Sequence, residues 1–457
     1  MPIWIATHPY KGIVHDGRLY TIQALNGLEG GRFSQDLYFR FGSQDSLSFF
    51  SFFYEPLIAA LGPARGHLCA TVLGAVAWVA ALTFLLRSLL SNRREMLAAA
   101  VACIVLDADY GGLNVFHYGE NFVTPRIFAE SLVMVALAFC MRGRAVGCSL
   151  CLLAAAAIHP IMAATGMAVA GAWAVFQDRR VLILIGAGAF TGIVLAMVGV
   201  PPFARLLATF DPDWYAIVWK RCGFAFLSRW SAGNALHVAA VGSTLWAAYV
   251  LGNATERRLI ACVAIASAGG LLASLAGGEI FHNVLLVNVQ PWRMLWLATL
   301  LANAAIAIVL IRLPPSRFSR EMFFWAAGLS ALTTVGLQLA PVAAMTQLLA
   351  ALAFGFEEKR RAPLPRAAQL LSVIPPLAGT AATAGLLYLK TEMSDVWPAL
   401  ALTGLLIAAC LILAFGEADK LRGAFLYSAM LAAILASLAL FDQRSDWQKF
   451  LETGPPS

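Results

Sequence analysis

The feature that most constrains this chain is a series of apolar runs near membrane-spanning length. Leu68 to Leu90, Val181 to Val200 and Leu295 to Arg312 are examples, and such runs recur from about residue 68 to residue 441. A helix needs about twenty apolar residues to cross the hydrocarbon core of a bilayer. A soluble domain has nowhere to bury so many of them. Composition agrees: of 457 residues, 60% are hydrophobic and 12% charged, and the mean hydropathy is +0.76. The chain is read as an all-α, polytopic integral membrane protein.

The net charge of +7 does not point to nucleic acid, because the lysines and arginines sit in short clusters between apolar runs. Clusters at Arg87 to Arg94, Arg142 to Arg144, Asp178 to Arg180, Glu256 to Arg258, Arg312 to Arg320, Glu357 to Arg366 and Glu417 to Arg422 are expected on the cytoplasmic side. The intervening loops, Asp107 to Arg126, Pro201 to Gly233, Gly277 to Arg293, Lys390 to Asp395 and the tail after Asp442, are rich in Trp, His, Asn, Gly and acids and are expected outside. The alternation closes with about 12–14 transmembrane helices and both termini outside. Segments between residues 95 and 176 are only about thirteen to sixteen residues long, which suggests broken, tilted or re-entrant helices around an internal cavity. More than sixty residues precede the first long run, and "MPIWIA" reads as the end of a helix whose start lies upstream of this numbering. The alternative is insertion of the N-terminal tail drawn by Leu68 to Leu90. The eight cysteines form no CxxC pair and several lie inside apolar runs, so neither a disulfide framework nor a zinc site is expected. No Walker A, HExxH, GxSxG or dinucleotide fingerprint stands before a helix as its chemistry requires.

The long first loop opens with "HDGRLYTIQAL", His15 to Leu25, continues through Gln35, Asp36, Leu37 and Tyr38, and ends in the aromatic run Phe49 to Tyr54. An acid, then an Arg/Tyr-containing amphipathic helix, then a second acid about twenty residues on resembles the first external loop of the GT-C superfamily of membrane glycosyltransferases. The resemblance implies a polyprenyl-phosphate-linked sugar donor, a catalytic face outside the cytoplasm, and residence in a bacterial inner membrane as part of cell-envelope chemistry. It also implies Asp16 as general base or organiser of the acceptor, with Asp36 as the second acid and Arg18 beside them. Gly17 stands where many members carry a second acid. Independently of the family, an inverting transfer from a lipid phosphate needs a carboxylate to take the acceptor proton and cations or a metal to hold the departing phosphate. A helix cap is the plain alternative for Asp16.

Further polar clusters lie on the same expected face. "DADYGGLNVFHYGENFVTPRIFAE" carries Asp107, Asp109, His117, Glu120 and Arg126 at a membrane boundary, where ionisable groups are costly and suggest substrate contact. Asp107-x-Asp109 has the spacing of a carboxylate pair for a divalent cation, the one cofactor the pattern allows. A solvated loop before a Pro125 helix start is the other reading. His159-Pro160 breaks an apolar run and offers either a phosphate contact or a histidine at a kink. "GGEIFHNVLLVNVQPWRMLWL" places Glu279, His282 and Arg293 before a helix, and an external arginine needs a counter-charge, from Glu279 or from a lipid phosphate. A late external arginine is also what the GT-C resemblance implies.

The expected organisation is a non-cytoplasmic first loop with amphipathic helices (1–66), a membrane-embedded catalytic half (67–356), a cytoplasmic linker (357–368) and a transmembrane scaffold (369–457). Partners are the polyprenyl-phosphate sugar and membrane lipids, not nucleic acid. The competing classes are a multi-pass transporter or flippase, which should carry ionisable or discontinuous-helix sites near the midplane, and an O-antigen-type polymerase or ligase.

Overall fold

The computed structural model describes residues 1–361 apart from 46 and 335–338, together with residues 365 and 367. Among them the only sheet is one pair of two-residue strands, and the rest of the regular structure is helical. They form two compact units, one from Met1–Val105 and Tyr118–Ala163 and one from Leu106–His117 and the described residues from Ala164 onward.

The first unit holds α1 (Pro2–Thr7), α2 (Gly17–Leu28), α3 (Phe50–Leu89), α4 (Arg93–Val105), α5 (Pro125–Met141) and α6 (Ala145–Ile158). Gly62 breaks α3 with φ of 75°, and Pro63 restarts the helix at a position where its missing N–H costs nothing. Beyond the break α3 buries Trp78, Leu82, Leu85 and Leu86, an i, i+4, i+7, i+8 stripe. Trp78 donates its indole N–H to Glu130 of α5 at 2.8 Å. Ahead of the break, Tyr20 and Ala24 of α2 pack with Phe50, Tyr54 and Ile58 of α3 and with Ala70 and Val123.

Helices α4, α5 and α6 have 13, 17 and 14 residues, in keeping with the short segments read from sequence. At 1.5 Å per residue α4 and α6 reach only about 20 Å, against about 30 Å of hydrocarbon. The chain breaks between α6 and α7 (Pro160–Gln177) at His159, as its proline requires. The division between the units falls inside α7.

The second unit continues with α8 (Val181–Met197), α9 (Pro212–Arg221), α10 (Ala232–Leu251), α11 (Ala254–Leu275), α12 (Val284–Val289), α13 (Leu295–Arg312), α14 (Phe318–Thr334) and α15 (Ala340–Arg360). It also takes in the hairpin β1 (Asp109–Tyr110) and β2 (Phe116–His117), whose register sets Asp109 opposite His117. Helix α13 is apolar on every side and buried along almost its whole length, which makes it the unit's central helix. Helix α8 is apolar too but buries only Ala196, leaving Ile183 72% and Met197 74% exposed, a surface suited to lipid and not to water.

Within this unit the basic turns gather at one end of the helices. Arg312 grips Glu256 with NH1 at 2.6 Å and NH2 at 2.8 Å, and Glu357 accepts from the Phe318 backbone at 3.1 Å and the Ser319 hydroxyl at 2.6 Å. The aromatic loops pack together at the opposite end, where the Asn283 amide donates to the Leu206 carbonyl at 2.7 Å and the Tyr215 hydroxyl to the Gly278 carbonyl at 3.1 Å. This is the segregation the alternating loops predict. One boundary differs: Glu357 to Arg360 are the last turn of α15 and not a free linker, because the buried Glu357 caps the start of α14.

Six helices among the described residues are long and apolar enough to cross a membrane: Phe50–Leu89, Pro160–Gln177, Ala232–Leu251, Ala254–Ile280, Val284–Arg312 and Ala340–Arg360. The protein is an all-α, polytopic membrane protein. The scaffold expected over 369–457 lies outside the described residues.

Candidate functional site

In the first unit, His15 (φ 48°) turns the chain so that Asp16 falls at the N-cap of α2. Its carboxylate does not cap the helix. It reaches across to α5 instead, where Oδ2 accepts from Arg126 NH1 at 2.8 Å, while Oδ1 lies 3.3 Å from His15 Nδ1. Arg126 stands in the first turn of α5 because Pro125 starts that helix. Its Nε donates to Glu120 Oε1 at 2.9 Å, with NH2 2.6 Å from the same oxygen. Glu120 also accepts the Thr124 hydroxyl. Arg126 and Glu120 have side chains 4% and 2% exposed, whereas Asp16 keeps 30%, so the solvent-facing end of this triad is the Asp16 carboxylate.

Gly17 shows why this chain has no second acid beside Asp16. A Cβ there would lie 2.9 Å from the His67 ring and 3.3 Å from the Val123 carbonyl. His67 is fully buried, with Nδ1 2.9 Å from the Tyr54 hydroxyl, which is 3.2 Å from the Thr21 hydroxyl. Thr21 in turn donates to the Gly17 carbonyl at 2.7 Å, so this chain of hydrogen bonds fastens α2 to α3. Nothing local marked His67, which reads as one histidine at the start of an apolar run.

The second acid drawn to α2 is Asp45 and not Asp36. Asp36 is exposed and accepts the Tyr38 backbone N–H at 2.8 Å within its own turn. Asp45 accepts from Gln23 and from Ser51, both at 2.5 Å, and Gln23 receives the Tyr38 hydroxyl at 2.6 Å. Burial, with Asp45 and Asp16 nearby, pushes the Tyr38 hydroxyl up to about 12, so it acts as a donor at neutral pH. Arg18 is exposed, its guanidinium 3.4 Å from the Ile13 carbonyl. His159 is buried and accepts the Met162 N–H at 3.2 Å, so it caps α7, the plainer of the two readings.

In the second unit Arg293 is buried, donates to Gln290 at 2.8 Å and stands 3.9 Å above the Phe116 ring. Glu279 instead accepts the Ser228 N–H at 2.7 Å, so the Arg293–Glu279 pair allowed by sequence is replaced by separate partners. His282 stacks on Tyr215 at 4.0 Å.

The Asp107–Asp109 segment is pinned inside this unit. The Asp107 N–H donates to the Ser330 hydroxyl at 2.9 Å, and the amide of Asn303, halfway along α13, donates to the Asp107 carbonyl at 2.8 Å. Asn303 lies roughly 12 Å from the start of α13 along its axis, so irregular backbone here sits at membrane depth. Gly111, at φ of 80°, lets the loop press against Trp292. Among the described residues no group of three or more His, Cys, Asp or Glu side chains is arranged to hold a metal ion, Asp107 and Asp109 included.

Fold and sites together define a multi-pass membrane protein with one charged cluster built on its first loop and another sunk among the helices of its second unit. No family model, curated protein or solved structure matches the chain.

Proposed function

We propose that the protein is a GT-C-like membrane glycosyltransferase that moves a sugar from a polyprenyl-phosphate-linked donor to an acceptor on the non-cytoplasmic face. The observation that carries this reading is the Asp16 carboxylate, oriented by the buried Arg126 and left partly open to solvent at the head of α2. Inversion at the anomeric carbon requires a base on the acceptor side. Asp16 takes the acceptor hydroxyl proton as the oxygen attacks, and the sugar–phosphate bond breaks with its electron pair leaving on the lipid phosphate. Arg126 keeps Asp16 aimed, and the exposed Arg18 is a cation in the same turn for the departing phosphate. The test is sugar transfer by the purified protein from a panel of polyprenyl-phosphate sugars, with Asp16→Asn compared at matched folding. Transfer lost in Asp16→Asn supports the reading. No turnover of any donor, or activity unchanged in Asp16→Asn, overturns it.

One observation favours a transporter as the second reading: Asp107 and Asp109 sit on irregular backbone at membrane depth, where transporters carry their sites. Counterflow of a labelled substrate in proteoliposomes, insensitive to Asp16→Asn, would favour it.

A further inference from the structure

In the first unit, α3 and α5 run side by side in the same direction: the Trp78 indole meets Glu130 at 2.8 Å, and further along the pair the Phe84 and Phe139 rings meet edge to face at 5.5 Å. Between the two helices lies an open groove of about 540 Å³, walled by Ala77, Ala80 and Ala81 of α3 and by Ser131, Leu132 and Val135 of α5. The Ser131 hydroxyl donates to the Ile127 carbonyl at 2.7 Å, so the walls offer a ligand only apolar contact. Small-molecule sites run to about 300–1,000 Å³, and this groove is of that size.

The two ends of the groove differ. Phe128 and Ile158 line one end and also pack against the first-loop cluster of Tyr20, Phe50 and Tyr54, which roofs it. Phe84 lines the other end, and the Arg142 guanidinium stands 4.4 Å above its ring. Arg87 lies one turn beyond Phe84, Arg144 lies beside Arg142, and all three arginines are exposed. No carboxylate among the described residues forms an ion pair with any of them. The stretch from Ala77 to Phe84 lies about 8–18 Å from the end of α3 at Leu89, at 1.5 Å per residue. That is the depth of one leaflet's chains, about 15 Å in a hydrocarbon core of about 30 Å.

We infer that this groove binds an anionic phospholipid of the cytoplasmic leaflet, with one acyl chain lying between α3 and α5 and the phosphate meeting Arg142. The apolar walls suit a hydrocarbon chain, which needs packing and no hydrogen bonds. The roofed end leaves the Phe84 end for the headgroup, and there a guanidinium offers its planar fork to phosphate oxygens. Arg87 and Arg144 add positive charge at the same end, the arrangement that draws anionic lipid to basic turns at the membrane surface. The inference does not depend on sugar transfer, and its test reads binding, not turnover.

The test is native mass spectrometry of the purified full-length protein in detergent micelles containing equal amounts of phosphatidylglycerol and phosphatidylcholine with the same acyl chains. Preferential retention of phosphatidylglycerol is expected. Ala80 is exposed, so Ala80→Trp fills the groove without entering the core and should abolish the retention. Arg142→Gln should lower the preference about fivefold, the effect of one cation beside an anionic lipid. Arg179→Gln, on an exposed basic turn of the second unit, should leave it at the parent level. The comparison of the two lipids needs only the parent protein, so a variant that fails to fold leaves the test intact. Equal retention of both lipids by the parent, parent-like retention in Ala80→Trp, or an equal loss in Arg179→Gln overturns the inference. A dimer that Ala80→Trp dissociates overturns it in favour of a second copy of the chain seated in the groove.

Discussion

Arg126→Met is the most informative single change in the first unit. It removes the guanidinium that joins Glu120, which is 2% exposed, to Asp16, which is 30% exposed. Glu120 keeps the Thr124 hydroxyl but loses its contacts with Arg126 Nε at 2.9 Å and NH2 at 2.6 Å, so a buried carboxylate is left uncompensated. Breaking a buried pair from one side costs about 3–5 kcal/mol. Asp16 adds little because solvent screens it. Glu120→Gln removes the stranded charge, so the double variant Arg126→Met/Glu120→Gln should recover about 2 kcal/mol of the loss, a coupling of the size expected for contacting residues. The assay is temperature-dependent labelling of buried thiols. Cys103 reports on the first unit and Cys262 on the second, and both are buried. At about 2–4 °C per kcal/mol for a unit of this size, Cys103 in Arg126→Met should become reactive roughly 10 °C below the parent. The reasoning fails if Cys103 labels within about 2 °C of the parent, or if the double variant is no more stable than the single one.

Two further outcomes follow from particular contacts. Gly17→Ala places a Cβ 2.9 Å from the His67 ring and should cost about 1–3 kcal/mol by lifting α2, read as earlier labelling of Cys103. Gly111→Ala meets the Trp292 ring at 2.0 Å and also requires φ of 80°, so it should yield little folded protein by size-exclusion chromatography.

What the sequence revealed and what it hid divide along physical lines. The apolar runs, the basic turns and the break at His159–Pro160 are local consequences of the bilayer and of proline, and they are visible residue by residue. Asp16 was visible because its surroundings form a local pattern, and Arg126 and Glu120 because charges are rare near apolar runs. That these three form one cluster was not visible, since 110 positions separate Asp16 from Arg126. The resemblance singled out Asp36, yet Asp45 lies in the same polar loop, and only the packing of α2 distinguishes them. His237, which lines a small cavity with Asp107 and Asp109, had no signal at all, because a lone histidine in an apolar helix joins a polar cluster only when the Asp107–Asp109 loop folds over it.

The two charged clusters handle their carboxylates in opposite ways. Asp16 is held by a resident guanidinium that also pairs with Glu120, so its direction does not depend on an occupant, which suits the base proposed above. Asp107 and Asp109 have no lysine or arginine among the described residues lining the small cavity beside them. A site of the first kind can act on a neutral hydroxyl. A site of the second kind has no resident guanidinium to aim its carboxylates, so it lacks the preset direction that a base requires.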